Sequence, residues 1–165
     1  MGDRLNEKLD ERRFEAAIGN ALDVLSGLAI EASMADVLSR PSSAALWQRY
    51  IRQLRDCRPL ALHWPREDEA SIASYLTEVA RSAGDRESVW LTYSDPVAIG
   101  VRVPAQALLS DSLTYFVTRA SDLMLSSPDA SDGICVELNA MPGRTQFEIK
   151  AWGAFETEPG ENGPA

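Results

Sequence analysis

Residues 88–93 read Ser88-Val89-Trp90-Leu91-Thr92-Tyr93, and residues 97–103 read Val97-Ala98-Ile99-Gly100-Val101-Arg102-Val103, with Ser94-Asp95-Pro96 between them. Both runs are rich in β-branched and aromatic residues, and the intervening triplet carries turn chemistry, so the pair predicts a β-hairpin. In the second run Val97, Ile99, Val101 and Val103 share one face, while Ala98, Gly100 and Arg102 share the other. Gly100 within a strand marks a bulge or a close approach of another element.

On either side of this hairpin the apolar period lengthens to that of a helix. Upstream, Phe14, Ile18, Ala21, Leu22, Leu25, Leu28, Ala29 and Ala32 make one helical stripe between Leu9 and Leu38, with Gly19 and Gly27 as close-approach points or breaks. After Arg40-Pro41, Ser42 or Ser43 is expected to cap a second helix whose inward row is Leu46, Tyr50, Leu54 and Cys57, stopped by Pro59. Leu60 to Trp64 reads as an edge strand or an extended connection. A third helix starts at Glu67-Asp68-Glu69, runs through Ile72, Leu76 and Val79, and ends at Gly84. Downstream, Pro104 opens a fourth helix through Leu109, Leu113, Phe116, Val117, Ala120, Leu123 and Met124. A second hairpin follows, with Ile134, Val136 and Leu138 alternating against Cys135, Glu137 and Asn139. After Met141-Pro142-Gly143, Phe147, Ile149 and Ala151 alternate against Gln146, Glu148 and Lys150.

Helices first, then strand-strand-helix-strand-strand, give an α+β fold: an antiparallel sheet of about four strands, two hairpins flanking a helix, with an N-terminal helical layer on one face. Residues 1–155 are expected to form one globular domain, and the acidic tail 156–165, without apolar period, to be disordered.

Of the 165 residues, 45% are hydrophobic and 25% charged, the balance of an ordinary globular protein. Through Leu60 there are nine Lys/Arg against nine Asp/Glu; from Ala61 on there are seven against sixteen, which accounts for the net charge of -9. A one-signed field confined to the second part disfavours nucleic acid and favours a basic partner. The recurring Arg49, Arg52, Arg55 and Arg58 drift around their helix and read as a solvated face. Cys57 and Cys135, with no paired-cysteine motif, read as reduced core thiols. The N-terminus lacks a secretory pattern, and apolar stretches fall short of the ~20 residues a membrane span requires. A cytoplasmic protein without cofactor or membrane partner is therefore expected.

His63 is the single histidine, which removes a histidine-rich metal site and leaves any catalytic triad dependent on it. Flanked by Leu62 and Trp64, it reads as a packing residue. There is no phosphate-cradling glycine motif. Glu137 and Glu148 on the polar faces of the second hairpin, beside Lys150, suit either an acid/base pair or a solvated ladder. Trp90 and Trp152 fall opposite the inferred core-facing positions under strict alternation; exposed there they would mark a partner surface, with Asp95 at the hairpin turn, whereas a helix covering that side too would make both core. These five residues, Glu137, Glu148, Trp90, Trp152 and Asp95, are the expected partner-binding set of a non-enzymatic acidic protein such as an immunity protein or dedicated chaperone. The alternatives are a small enzyme or ligand-binding domain with a pocket between sheet and helices, and a homodimer built on the first helix.

Overall fold

The computed structural model describes residues 2–56, 60–65, 69–111, 116, 121–141 and 144–157. In chain order these form α1 (Gly2–Gly27), α2 (Arg40–Asp56), β1 (Leu60–Pro65), α3 (Glu69–Ala83), β2 (Glu87–Ser94), β3 (Val97–Pro104), α4 (Ala105–Asp111), β4 (Leu123–Ser126), β5 (Gly133–Met141) and β6 (Arg144–Trp152), closed by a 3-10 turn at Gly153–Phe155. The α+β class holds. The strands make one antiparallel sheet in the order β1-β6-β5-β4-β2-β3.

Among the described residues that sheet has six strands rather than about four. One addition is β1, which pairs along β6 from Leu60↔Ala151 to Pro65↔Gln146 and so takes the edge-strand option for that segment. The other is β4. Leu123 and Met124, expected at the end of the fourth helix, instead sit in a strand bridging the two hairpins, with Trp90↔Leu125 on one side and Leu125↔Ile134 on the other. A stretch as short as Leu123-Met124-Leu125 satisfies either period, and the sheet position between β2 and β5 decides it. Leu113, Val117 and Ala120 lie outside the described residues.

Both faces of the sheet are covered. Trp90, Ile99, Val101, Leu125, Ile134, Phe147 and Ile149 share one face and pack with Leu25 of α1, Leu76 and Val79 of α3 and Leu108 and Leu109 of α4. Across the sheet, Val89, Leu91, Cys135 and Trp152 pack under Leu46 and Tyr50 of α2. The N-terminal helix thus lies on one face as expected, while α2 goes to the other.

Local chemistry explains the placement of α2. The segment before it runs along the free edge of β3: Arg102 N–H donates to Asp36 O at 2.9 Å and Leu38 N–H to Gly100 O at 2.8 Å, which covers the otherwise unpaired strand. Gly100 is the close-approach point, because a Cβ there would stand 2.9 Å from Leu38 Cδ1 and 3.0 Å from Val89 Cγ1. Gly100 N–H also donates to the buried Ser43 Oγ, at 3.1 Å. That bond makes Ser43 an anchor of α2 to the sheet and not its cap. The cap is Ser39, whose Oγ accepts from Ser42 N–H at 3.3 Å.

α1 ends at Gly27, and Ile30 N–H returns to Leu25 O at 2.9 Å, so Leu28, Ala29 and Ala32 follow the helix rather than extend it. Gly84 closes α3 with φ +59° and its N–H on Ala80 O, as expected of a C-terminal glycine. Of the expected tail, 156 and 157 are described and 158–165 lie outside. No helix among the described residues is long and apolar enough to cross a membrane.

Candidate binding cleft

Between α1 and the hairpin end of β2 and β3 the sheet and helix do not meet flush. On the helix side Ala16, Ala17, Asn20, Ala21 and Val24 face the gap, and on the sheet side Trp90, Val97, Ile99 and Phe116 form an apolar floor. The gap is a cleft of ≈ 500 Å³, within the ~300–1,000 Å³ range of small-molecule sites. Polar groups ring one end: Thr92, Ser94 and Asp95 from β2 and its turn, Ser121 and Asp122 from the approach to β4, and Arg13 from α1.

The cleft exists because α1 carries alanines where it crosses the sheet end. Ile18 and Leu25 are large and buried in the core, but beside them Ala16 and Asn20 are exposed and the small Ala17 is only half-buried against it. Small side chains facing a flat sheet leave a slot.

Trp90 is the distinctive wall residue. It is 4% exposed, its ring lies edge-on to Phe116 with centroids 6.2 Å apart, and its indole Nε1–H is buried with no hydrogen-bond partner among the described residues. An unmade bond at a buried donor costs about 1–3 kcal/mol, and such orphans are rare enough in folded proteins to call for an explanation. At the mouth, Asp95 Oδ1 accepts from Tyr93 Oη–H at 3.0 Å, and Arg13 pairs with Asp10 at 3.5 Å.

The five expected site residues are not brought together. Of the two readings for Trp90 and Trp152, the core one holds: both are 4% exposed, but they lie on opposite faces and not on the one shared side expected. Trp90 pairs with Val101 across a turn of only Asp95 and Pro96, since Ser94 already pairs with Val97. Counting Ser94 as strand moves Trp90 onto the core face. Trp152 keeps the alternation expected of it, but α2 covers that face. Its Nε1–H donates to Ala130 O at 3.2 Å, and its ring lies against Tyr50, with centroids 5.2 Å apart.

Glu137 and Glu148 stand directly opposite one another on β5 and β6. Glu148 is ion-paired to Lys150, and this bond is the main cause of the raised Lys150 pKa. Cys135 Sγ–H donates weakly to Glu137 Oε1 at 3.5 Å, and burial, followed by the Glu137 charge, pushes the Cys135 thiol well up. This is a cross-strand polar ladder bordering a buried, protonated thiol, free as expected. His63 pairs with Glu148 in backbone register, but its side chain, and Cys57, Arg58, Glu67 and Asp68, lie outside what is described. Of the set, Trp90 and Asp95 border the cleft.

Arg49 donates to Pro128 O at 3.3 Å, and among the described residues no ion pair links Arg49, Arg52 or Arg55 to a carboxylate, whereas Arg40 at the start of α2 pairs with Asp10 at 3.3 Å. No group of three or more metal-binding side chains is found among the described residues. Sequence reasoning missed the helix half of the cleft, Ala16, Ala17 and Asn20, whose signal was a run of small residues beside the apolar stripe. No protein-family model, no curated protein and no solved structure matches this chain.

Proposed function

We propose that this protein is a small-ligand-binding domain whose site is the cleft between α1 and the β2–β3 hairpin. The observation that carries the reading is the partnerless, buried indole N–H of Trp90 in the wall of a cleft of ≈ 500 Å³. A cleft with an apolar floor, a few polar groups at one end and an unused donor is the arrangement that fixes a ligand's orientation. Thermal-shift screening of a metabolite-sized library tests the reading. Hits on the native chain that are lost in Ala17→Trp, which fills the slot from a half-buried position on α1, support it; hits that survive that substitution overturn it.

A second reading, an acidic protein that docks a basic partner such as a toxin or secreted client, draws on one feature of the hairpin tip. Tyr93 is 43% exposed, stacks on Trp47 with centroids 4.7 Å apart, and stands beside the Asp95 carboxylate. Exposed aromatics next to charge are typical interface anchors. Its test is a native pull-down at low and high salt with the chain and with the Tyr93→Ala/Asp95→Lys double variant. A basic partner captured at low salt by the native chain alone supports this reading, and equal capture by both chains counts against it.

A further inference from the structure

We infer that the cleft selects a small planar molecule with a hydrogen-bond acceptor on its ring and a protonated amine at its outer end, an inference that rests on the cleft being a ligand site. The planar body follows from the walls. One is a helix face of Ala16, Ala17 and Ala21, and the other is a sheet face floored by Val97, Ile99 and the Trp90 ring. Small apolar side chains on one wall and an aromatic ring on the other leave a gap that a flat ring fills with more contact than a branched chain does.

The acceptor follows from Trp90. Its indole can only donate, and its N–H meets no acceptor among the described residues. A carbonyl or ring nitrogen delivered by a ligand turns this unmade bond into a made one, so the bond adds to affinity without first being taken from another partner. The N–H is closed to water, so the acceptor reaches it only as a neighbour gives way. Phe116, edge-on at 6.2 Å, is the described ring in contact with Trp90 and the side chain expected to move.

The amine follows from the charge left over at the mouth. Arg13 pairs with Asp10, a carboxylate it shares with Arg40, so Asp10 does not cancel both cations. Asp95 is exposed, accepts one hydrogen bond from Tyr93, and has no described Lys or Arg within ion-pairing distance. Asp95 and Asp122 set two carboxylates against the one guanidinium of Arg13 in the cleft lining, so the rim is negative on balance, and both stand in the part of the chain that carries the whole acidic surplus.

Three matched probes separate these elements: 4-acetylbenzylamine carries carbonyl and amine, 4-ethylbenzylamine lacks the carbonyl, and 4-acetylbenzoate reverses the charge. Each is titrated into the 15N-labelled full chain, following the indole cross-peak that disappears in Trp90→Phe and the backbone amides of Ala17 and Asn20. The expected result is tightest binding of 4-acetylbenzylamine, about 10-fold over the benzoate, which corresponds to ~1.4 kcal/mol, with a downfield shift of the Trp90 indole proton. Asp95→Asn, a change at an exposed side chain, should reduce that preference to less than about 3-fold. Equal or tighter binding of the benzoate overturns the charge assignment while leaving the cleft a ligand site. Equal binding of the ethyl probe with an unmoved indole proton overturns the acceptor assignment in the same way. If no probe moves Trp90, Ala17 or Asn20 at millimolar concentration, the ligand-site reading itself falls and this inference with it.

Discussion

Trp90 and Trp152 form an internal control for the claim that the Trp90 N–H is an orphan. Both are 4% exposed, and Trp→Phe at either removes the same atoms. The smaller ring gives up about 50 Å² of buried surface out of the ~150–250 Å² an aromatic buries, about 1.3 kcal/mol at ~25 cal/mol per Å². The polar terms then have opposite signs. At Trp90 the substitution deletes a donor without a partner and relieves about 1–3 kcal/mol, so Trp90→Phe should be close to neutral. At Trp152 it breaks the bond to Ala130 O and strands a carbonyl on a fully buried residue. A further ~1–3 kcal/mol is lost there, for a total of about 2–4 kcal/mol. Urea unfolding of both variants at equal m-value measures the difference directly. Trp152→Phe should be the less stable by about 2 kcal/mol or more. A Trp90→Phe loss equal to that of Trp152→Phe would mean that the Trp90 N–H has an acceptor, and the case for the cleft would lose its main support.

Gly133 lies under the Trp152 ring, where a Cβ would stand 2.2 Å from Cζ2; Gly133→Ala should therefore cost at least ~1–3 kcal/mol by overpacking. Gly19, in α1 with nothing within 4 Å of its built Cβ, should gain about 0.5–1 kcal/mol as Ala, and the same denaturation assay reads both. Asp129 accepts from Ser131 N–H, Ser127 Oγ–H and Ser131 Oγ–H, which lower its pKa to about 2. Its bonds to the β4–β5 turn should be intact above the unfolded carboxylate range and be lost as pH falls through about 2; a side-chain carboxyl NMR titration with a midpoint near 4 would contradict this. The Cys135 thiol, pushed up by burial, should resist iodoacetamide at mildly alkaline pH in a Cys57→Ser background until denaturant is added. Its folded pKa is raised, so its contribution to stability is present below the unfolded thiol pKa and declines as pH rises beyond it. Labelling of the native state at the rate of a free thiol would refute the burial.

The fold class was readable because the period of the apolar residues changes where the structure changes. Val97, Ile99, Val101 and Val103 alternate in sequence and share one core face in β3, and the β5 and β6 residues do the same. The hidden parts were those where two structures satisfy one pattern. Leu123-Met124-Leu125 completes a helical stripe as well as it makes a short strand, and only the sheet position between β2 and β5 separates the two. Trp90 was misplaced by one residue of turn length, because counting Ser94 as turn instead of strand reverses every side chain of β2 relative to β3.

The cleft was hidden for a different reason. Periodicity identifies the face that α1 turns to the sheet, and Ile18, Ala21 and Leu25 are buried there as their spacing requires. It does not report whether neighbouring rows reach the opposing surface. Ala16, Ala17 and Asn20 line the cleft from α1, and their small size is visible in the sequence only as weakened hydrophobicity. A helix designed for stability alone would fill this row, since burying each added methylene is worth about 0.8 kcal/mol. The two defects meet in one place: a helix row too small for its gap and, across from it, a tryptophan whose donor has no partner. Either alone is an ordinary packing fault, but a single bound molecule would compensate both, since its body fills the volume and its acceptor satisfies the N–H. Filling the row should accordingly stabilise the chain and abolish ligand binding together, whereas a packing fault would yield stability with no function lost.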